Sequence, residues 1–152
     1  ATRTGLPVMR AMPLAFPGNA LVRGFETQFL CGEALLVAPI LSPGGEVEVA
    51  LPPGAWFDLN TRARYAGRQV LRYRAPLDQF PAFGREGHAL PLGRAVQHTG
   101  EIDAASPLEQ LWLFGAPANS LDGFTQARIE ADGEGGFTLR TSTGVEVVRF
   151  GA

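Results

Sequence analysis

At 152 residues the chain is long enough to bury the core of one ordinary domain or of two small ones. Hydrophobic residues at 45% and charged residues at 18% describe a globular protein, and a formal net charge of −2 excludes recruitment of nucleic acid or an anionic membrane by bulk electrostatics. The single cysteine, Cys31, excludes an internal disulfide framework, and all 13 basic residues are arginine, a bias that reads as a GC-rich genome rather than a binding device.

No run of about eighteen uncharged apolar residues occurs, and the N-terminal residues lack the basic-then-apolar order of a secretion signal. Neither a spanning helix nor a secretion signal is therefore expected, and a cytoplasmic parent is. In chain order, Leu6 to Leu14 alternates loosely around Pro7 and Pro13, which fits a short strand ending before the second proline. Phe16 to Gly24 reads as loop, and Phe25 to Cys31 as one or two helical turns. Leu35 to Leu41 is a short apolar run closed by Ser42-Pro43-Gly44-Gly45, predicted as a strand buried on both faces. Glu46 to Leu51 alternates strictly, with Val47, Val49 and Leu51 on one face and the two glutamates on the other. Pro52-Pro53-Gly54 forbids both ladder and helix, so the chain must turn before a third strand, Ala55 to Leu59. This region seeds a β-sandwich, with Val37, Ile40, Val47, Val49, Trp56 and Phe57 expected in its core.

Beyond the turn at Asn60-Thr61, Val70 to Arg74 alternates in part and puts Arg72 and Arg74 on one face. Pro81 and Pro91 interrupt apolar runs, which assigns those runs to edge strands or strand ends. Arg94 to Pro107 is the most polar interval and the best boundary. The last third alternates most cleanly: Leu111 and Leu113 against Trp112 and Phe114, then Phe124 to Glu130, Phe137 to Thr141 and Val145 to Phe150. The stretches 132–136 and 142–144 read as hairpin connectors. About ten strands and no long helix select an all-β class, an antiparallel β-sandwich.

Several motifs in order resemble glycoside hydrolase family 31, the α-glucosidase and α-xylosidase family. LLVAPIL, a glycine-rich turn, a strand and LPPGAWFDLNT are similar to its "LLVAPV…LP.G.W.D..T" signature. GLPVMRAMPLAFP at Gly5 to Pro17 resembles its last barrel strand, QFLCG at Gln28 to Gly32 its "QFL.G", and PLDQFPAFGREGHALPLG at Pro76 to Gly93 its "PL..IPVFVR.G..L.LG". The resemblance implies a remnant of the end of a (β/α)8 barrel at 1–31, with Leu6 to Leu14 a parallel barrel strand. It further implies a proximal C-terminal β-sandwich domain at 32–93 and the start of a distal β-domain at 94–152. LEQLWLFGAPA and GGFTLRTSTGVEVVRFG are similar to the distal domain of the α-xylosidase-like branch in strand pattern.

Family 31 enzymes resemble other retaining glycosidases in needing two carboxylates, a nucleophile and an acid/base. Both family motifs lie upstream of the matched barrel strand, so no catalytic, cofactor-binding or metal-binding residue is assigned to this sequence, and no cofactor. Asp58, Asp78, Asp103, Asp122 and Asp132 sit in or beside turns, where aspartate bonds nearby backbone amides. Trp56, Tyr65, Tyr73 and Trp112 form either a sugar platform or, preferably, core packing. His88 and His98 lack partners at ligand spacing, Cys31 reads as a buried inert thiol, and Arg85-Glu86 as a turn or bulge with a surface ion pair. Arg10 reads as a structural hydrogen-bond donor. Two functions follow: the non-catalytic C-terminal β region of a retaining α-glycosidase acting on terminal α-linked glycosyl residues, with the parent's barrel as partner, or a carbohydrate-binding or adhesion module. Residues 1 to 31 are expected to be disordered, to add to a sandwich edge or, preferably, to pair with a second copy in a homodimer.

Overall fold

The computed structural model describes residues 5–102, 108–117, 127–131 and 136–151. Contacts divide the chain into two compact units, one running to Glu86 and one from Gly87.

The first unit holds β1 (Met9–Ala11), α1 (Met12–Ala15), a 3-10 turn at Ala20–Val22, β2 (Phe29–Cys31), β3 (Leu35–Val37), β4 (Glu46–Leu51), β5 (Ala55–Asp58), β6 (Arg64–Ala66), β7 (Gln69–Arg74) and β8 (Ala82–Arg85). Six strands form one antiparallel sheet in the order β1-β2-β3-β8-β5-β6, and β4 pairs antiparallel with β7 in a second. The core lies between them. Leu30, Leu36, Trp56 and Phe83 come from the larger sheet, Val49, Leu51 and Tyr73 from the smaller one, and Met12 and Val22 from the segment before β2. Tyr65 and Tyr73 both meet the Phe83 ring edge-on, at centroid distances of 6.2 and 5.6 Å, the geometry that aromatic quadrupoles favour. Backbone proximity fixes Gly67, where a Cβ would lie 1.9 Å from the Pro52 carbonyl oxygen; the chain between β6 and β7 passes against the turn after β4 there.

The second unit holds β9 (His88–Gly93), a 3-10 turn at Thr99–Glu101, β10 (Leu108–Phe114), β11 (Ala127–Ala131), β12 (Phe137–Thr141) and β13 (Glu146–Phe150). One sheet runs β13-β10-β9 and another β11-β12. Ala89, Leu108, Leu111, Leu113, Ala127 and Ile129 fill the space between them.

The all-β sandwich class is thus what the chain adopts, with several local differences. The apolar run ends as a strand at Val37 because it heads into Pro39, and its exposure alternates, Leu36 buried and Leu35 and Val37 half-buried. Val49, Trp56 and Phe57 are buried, whereas Val37, Ile40 and Val47 are only half-buried. Phe25 to Cys31 contains the strand β2 in place of helical turns, since Phe29–Cys31 is claimed by pairing on both sides. Met9–Ala11 is the expected short strand, but it runs antiparallel to β2 at the sheet edge instead of parallel, and Pro13 opens α1 in the first helical turn. Edge addition was one of the three outcomes expected for this segment. Of the two places expected for Pro81, an edge strand or a strand end, it takes the second: it immediately precedes β8, which lies between β3 and β5, and accepts from the Ala38 N–H at 3.0 Å. Pro91 does lie on an edge strand, β9. Ser142-Thr143-Gly144 does not close a hairpin, because β12 pairs with β11 while β13 runs parallel to β10.

Candidate functional site

The polar chemistry of the first unit concentrates at the end of β5. Asp58 is fully buried, and the turn that follows it wraps around its carboxylate. Oδ1 accepts from the Asn60 backbone N–H at 2.8 Å, and Oδ2 accepts from the Thr61 hydroxyl at 2.7 Å and from the Tyr73 hydroxyl at 2.8 Å. Asn60 Nδ2 then donates to the Tyr73 hydroxyl at 3.2 Å and to the Phe80 carbonyl at 3.0 Å. The expected turn-capping role of Asp58 is met, and its reach extends across the sandwich to β7. Burial pushes the Tyr73 phenol above its ordinary pKa of 10.0, and the neighbouring Asp58 carboxylate adds to the rise.

A second buried polar residue is Gln28, 2% exposed. Its Oε1 accepts from the Ala50 N–H and its Nε2 donates to the Ala50 carbonyl, both at 2.8 Å. A shallow cleft of about 750 Å³ opens nearby, lined by Phe25, Glu26, Thr27, Leu41, Ser42 and Glu48 among others. Glu46 on its wall is paired with Arg72.

The other residues singled out in the sequence do not converge. Trp56 is buried and donates from Nε1 to the Pro52 carbonyl at 3.0 Å; Trp112 is half-buried, donates to Gln110 Oε1 at 3.0 Å and packs on Phe150. With Tyr65 and Tyr73 on Phe83, all four aromatics have core partners, as the packing reading required. His98 is exposed, 3.3 Å from Glu101, and His88 is half-buried. Cys31, expected to be buried, is half-buried, in β2 next to an edge strand. Glu86, in the turn that follows β8, pairs at the surface with Arg64 at 2.9 Å, while Arg85 at the end of β8 lies over the Phe16 ring; the expected turn with a surface ion pair is there, with Arg64 as the cation. Arg10 Nε donates to the Pro7 carbonyl at 3.0 Å. Asp103, Asp122 and Asp132 lie outside the described residues, and among the described residues no three His, Cys, Asp or Glu side chains gather as metal ligands.

Sequence reasoning missed the role of Gln28, although its motif was noticed. A side chain that bonds a strand 22 residues away has no periodic signature. Taken together, the described residues define an all-β sandwich domain whose buried polar groups hold turns and strand edges.

Comparison with known proteins places this domain in a family. The model of the "glycosyl hydrolase family 31 C-terminal domain" matches residues 5–90. The chain is 32% identical over 149 residues to neutral alpha-glucosidase AB of Sus scrofa, covering 96% of this chain and 15% of that protein. The structure resembles a family 31 dextranase of Flavobacterium johnsoniae complexed with glucose, with a TM-score of 0.65 and 34% identity, covering 86% of this chain and 16% of that one. It also resembles a family 31 alpha-xylosidase from a soil metagenome complexed with xylose, at 46% identity and a TM-score of 0.52 over 55% of this chain and 13% of that one. The chain belongs to glycosyl hydrolase family 31, and corresponds to the C-terminal domain of larger chains that include a catalytic barrel.

Proposed function

We propose that the chain is the non-catalytic C-terminal β region of a retaining α-glycosidase, and that it buttresses the catalytic barrel and the rim of the active site in an enzyme hydrolysing terminal α-linked glycosyl residues. The observation that carries this reading is the state of Asp58. Retention needs two carboxylates about 5 Å apart, one free to attack the sugar and one to carry a proton. Asp58 is the only carboxylate fully buried among the described residues, and both its oxygens are spent on Asn60, Thr61 and Tyr73. The carbohydrate-binding alternative is not favoured, because Trp56 and Tyr73 are committed to the core. Assayed alone against aryl α-glucosides and α-xylosides, the chain should show no turnover above a mock purification. Turnover that follows the folded chain through purification would overturn the proposal.

A second reading concerns association. Leu6, Val8, Met9 and Leu14 are exposed on or beside β1, an edge strand with an open side, and such an edge invites another strand. We propose that residues 1–31 pair two copies of the isolated chain. Light scattering should find a dimer for the whole chain and a monomer for a version starting at Phe25; two monomers would contradict it. We further propose a cytoplasmic parent enzyme, a compartment that suits a sequence with one cysteine.

A further inference from the structure

The sheet formed by β4 and β7 has two strands, so β4 has an outer side that no strand covers. We infer that Gln28 is an edge plug, a side chain that occupies this outer side as a neighbouring strand would and keeps β4 from pairing with another chain. Three observations carry the inference. The first is the stoichiometry of the contact. Ala50 turns both its N–H and its C=O away from β7, and the Gln28 amide supplies one acceptor and one donor to them at 2.8 Å each, as a peptide group would. The second is the treatment of the rest of the edge. Alternation sends the backbone groups of Glu46, Glu48 and Ala50 the same way, and Pro52 follows the strand. The Ser42 hydroxyl donates to the Glu46 carbonyl at 3.3 Å, and the Trp56 indole donates to the Pro52 carbonyl at 3.0 Å. Between them Glu48 is an exposed charge, which discourages strand addition. The third is the anchoring of the plug. Met12 and Val22, both fully buried in the core, pin the segment that leads to Gln28, and Asn19 caps its 3-10 turn by accepting from the Leu21 N–H at 3.1 Å.

A plug of this kind has two consequences that ordinary core packing lacks. The Ala50 amide should behave as an interior sheet amide although its strand has a partner on one side alone. Loss of the plug should release a pairing edge rather than merely loosen the core. Native-state hydrogen exchange on the wild-type chain tests the first without any substitution. The Ala50 amide should exchange within about tenfold of that of Leu36, which lies in the interior strand β3. Exchange about a hundredfold faster would show the edge to be open and overturn the inference. Gln28→Leu keeps the bulk and removes the bonds; Phe83→Leu serves as a control that weakens the core without touching the edge. At matched folded fraction, Gln28→Leu should speed Ala50 exchange by about tenfold or more and raise the scattering mass above that of wild type, while Phe83→Leu leaves the mass at the wild-type value. Equal mass in all three proteins, or equal association in both variants, would contradict the plug.

Discussion

The two units of this chain bury their cores by different means. The first packs Trp56, Phe83 and Tyr73 between its sheets and places two polar side chains, Gln28 and Asp58, at 2% exposure or less among them. The second closes over buried aliphatic side chains, Leu108, Leu111, Leu113 and Ile129, with Phe137 at their margin, and sets Trp112 and Phe114 against Phe150. Aliphatic packing asks only for the right volume and pattern, whereas a buried carboxylate or amide demands a particular partner at a particular distance and is costly without it. The first unit is therefore the more tightly specified of the two.

The largest effect expected from this contrast falls at Trp56. Trp56→Ala removes the biggest buried side chain and the indole bond to Pro52, and should cost about 3–5 kcal/mol in urea unfolding. A loss below about 1 kcal/mol would mean that the first core is not organised around its aromatics. In the second unit, Leu111→Ala should cost about 2–4 kcal/mol, and Leu111→Met under about 1.5, because an aliphatic core tolerates a change of shape at constant volume. Equal losses from the two substitutions would break the contrast.

A smaller and more specific effect comes from Tyr73. Its pKa is raised in the folded state, so folding favours the protonated phenol. That contribution is complete below the unfolded pKa near 10 and is lost as pH climbs through the higher folded value. Unfolding free energy should fall above pH 10, and Tyr73→Phe should flatten that decline. An unaltered alkaline slope in the variant would place the titration elsewhere. Smallest of all is Arg72→Ala at the exposed pair with Glu46, which should change stability by about 0.3 kcal/mol and less still in high salt.

The units also differ in how far their sequences could be read. Strict alternation made β4 visible within a residue, and the Pro52-Pro53-Gly54 turn located the start of β5. β12 appeared at its expected bounds for the same reason. Pairing was less legible than strand formation. Nothing local distinguishes a β13 that completes a hairpin from one that crosses to lie parallel to β10, 36 residues away at Gln110 and Glu146. Pro81 marks a strand end and not an edge, because a proline one residue before a strand needs no N–H there, and its carbonyl still bonds Ala38. Half-burial of Ile40 and Val47 follows from their places at the margins of the core, information that hydrophobicity alone does not carry. The candidate site divides the same way. Asp58 was legible as a turn residue because its Asn60 and Thr61 contacts are local, but its bond to Tyr73 and the bond of Gln28 to Ala50 join segments distant in sequence.

The central claim is that the buried polar groups of the first unit serve structure and not bond cleavage, and Asp58→Asn in the proposed parent glycosidase tests it most directly. The substitution keeps the size of the side chain but replaces one acceptor oxygen with a donor facing the Thr61 and Tyr73 hydroxyls, a loss of about 1–3 kcal/mol. Measured together, thermal unfolding and turnover of an aryl α-glycoside should show a melting temperature lowered by several degrees and an unchanged rate per folded molecule. An unchanged melting temperature with turnover abolished would contradict the account.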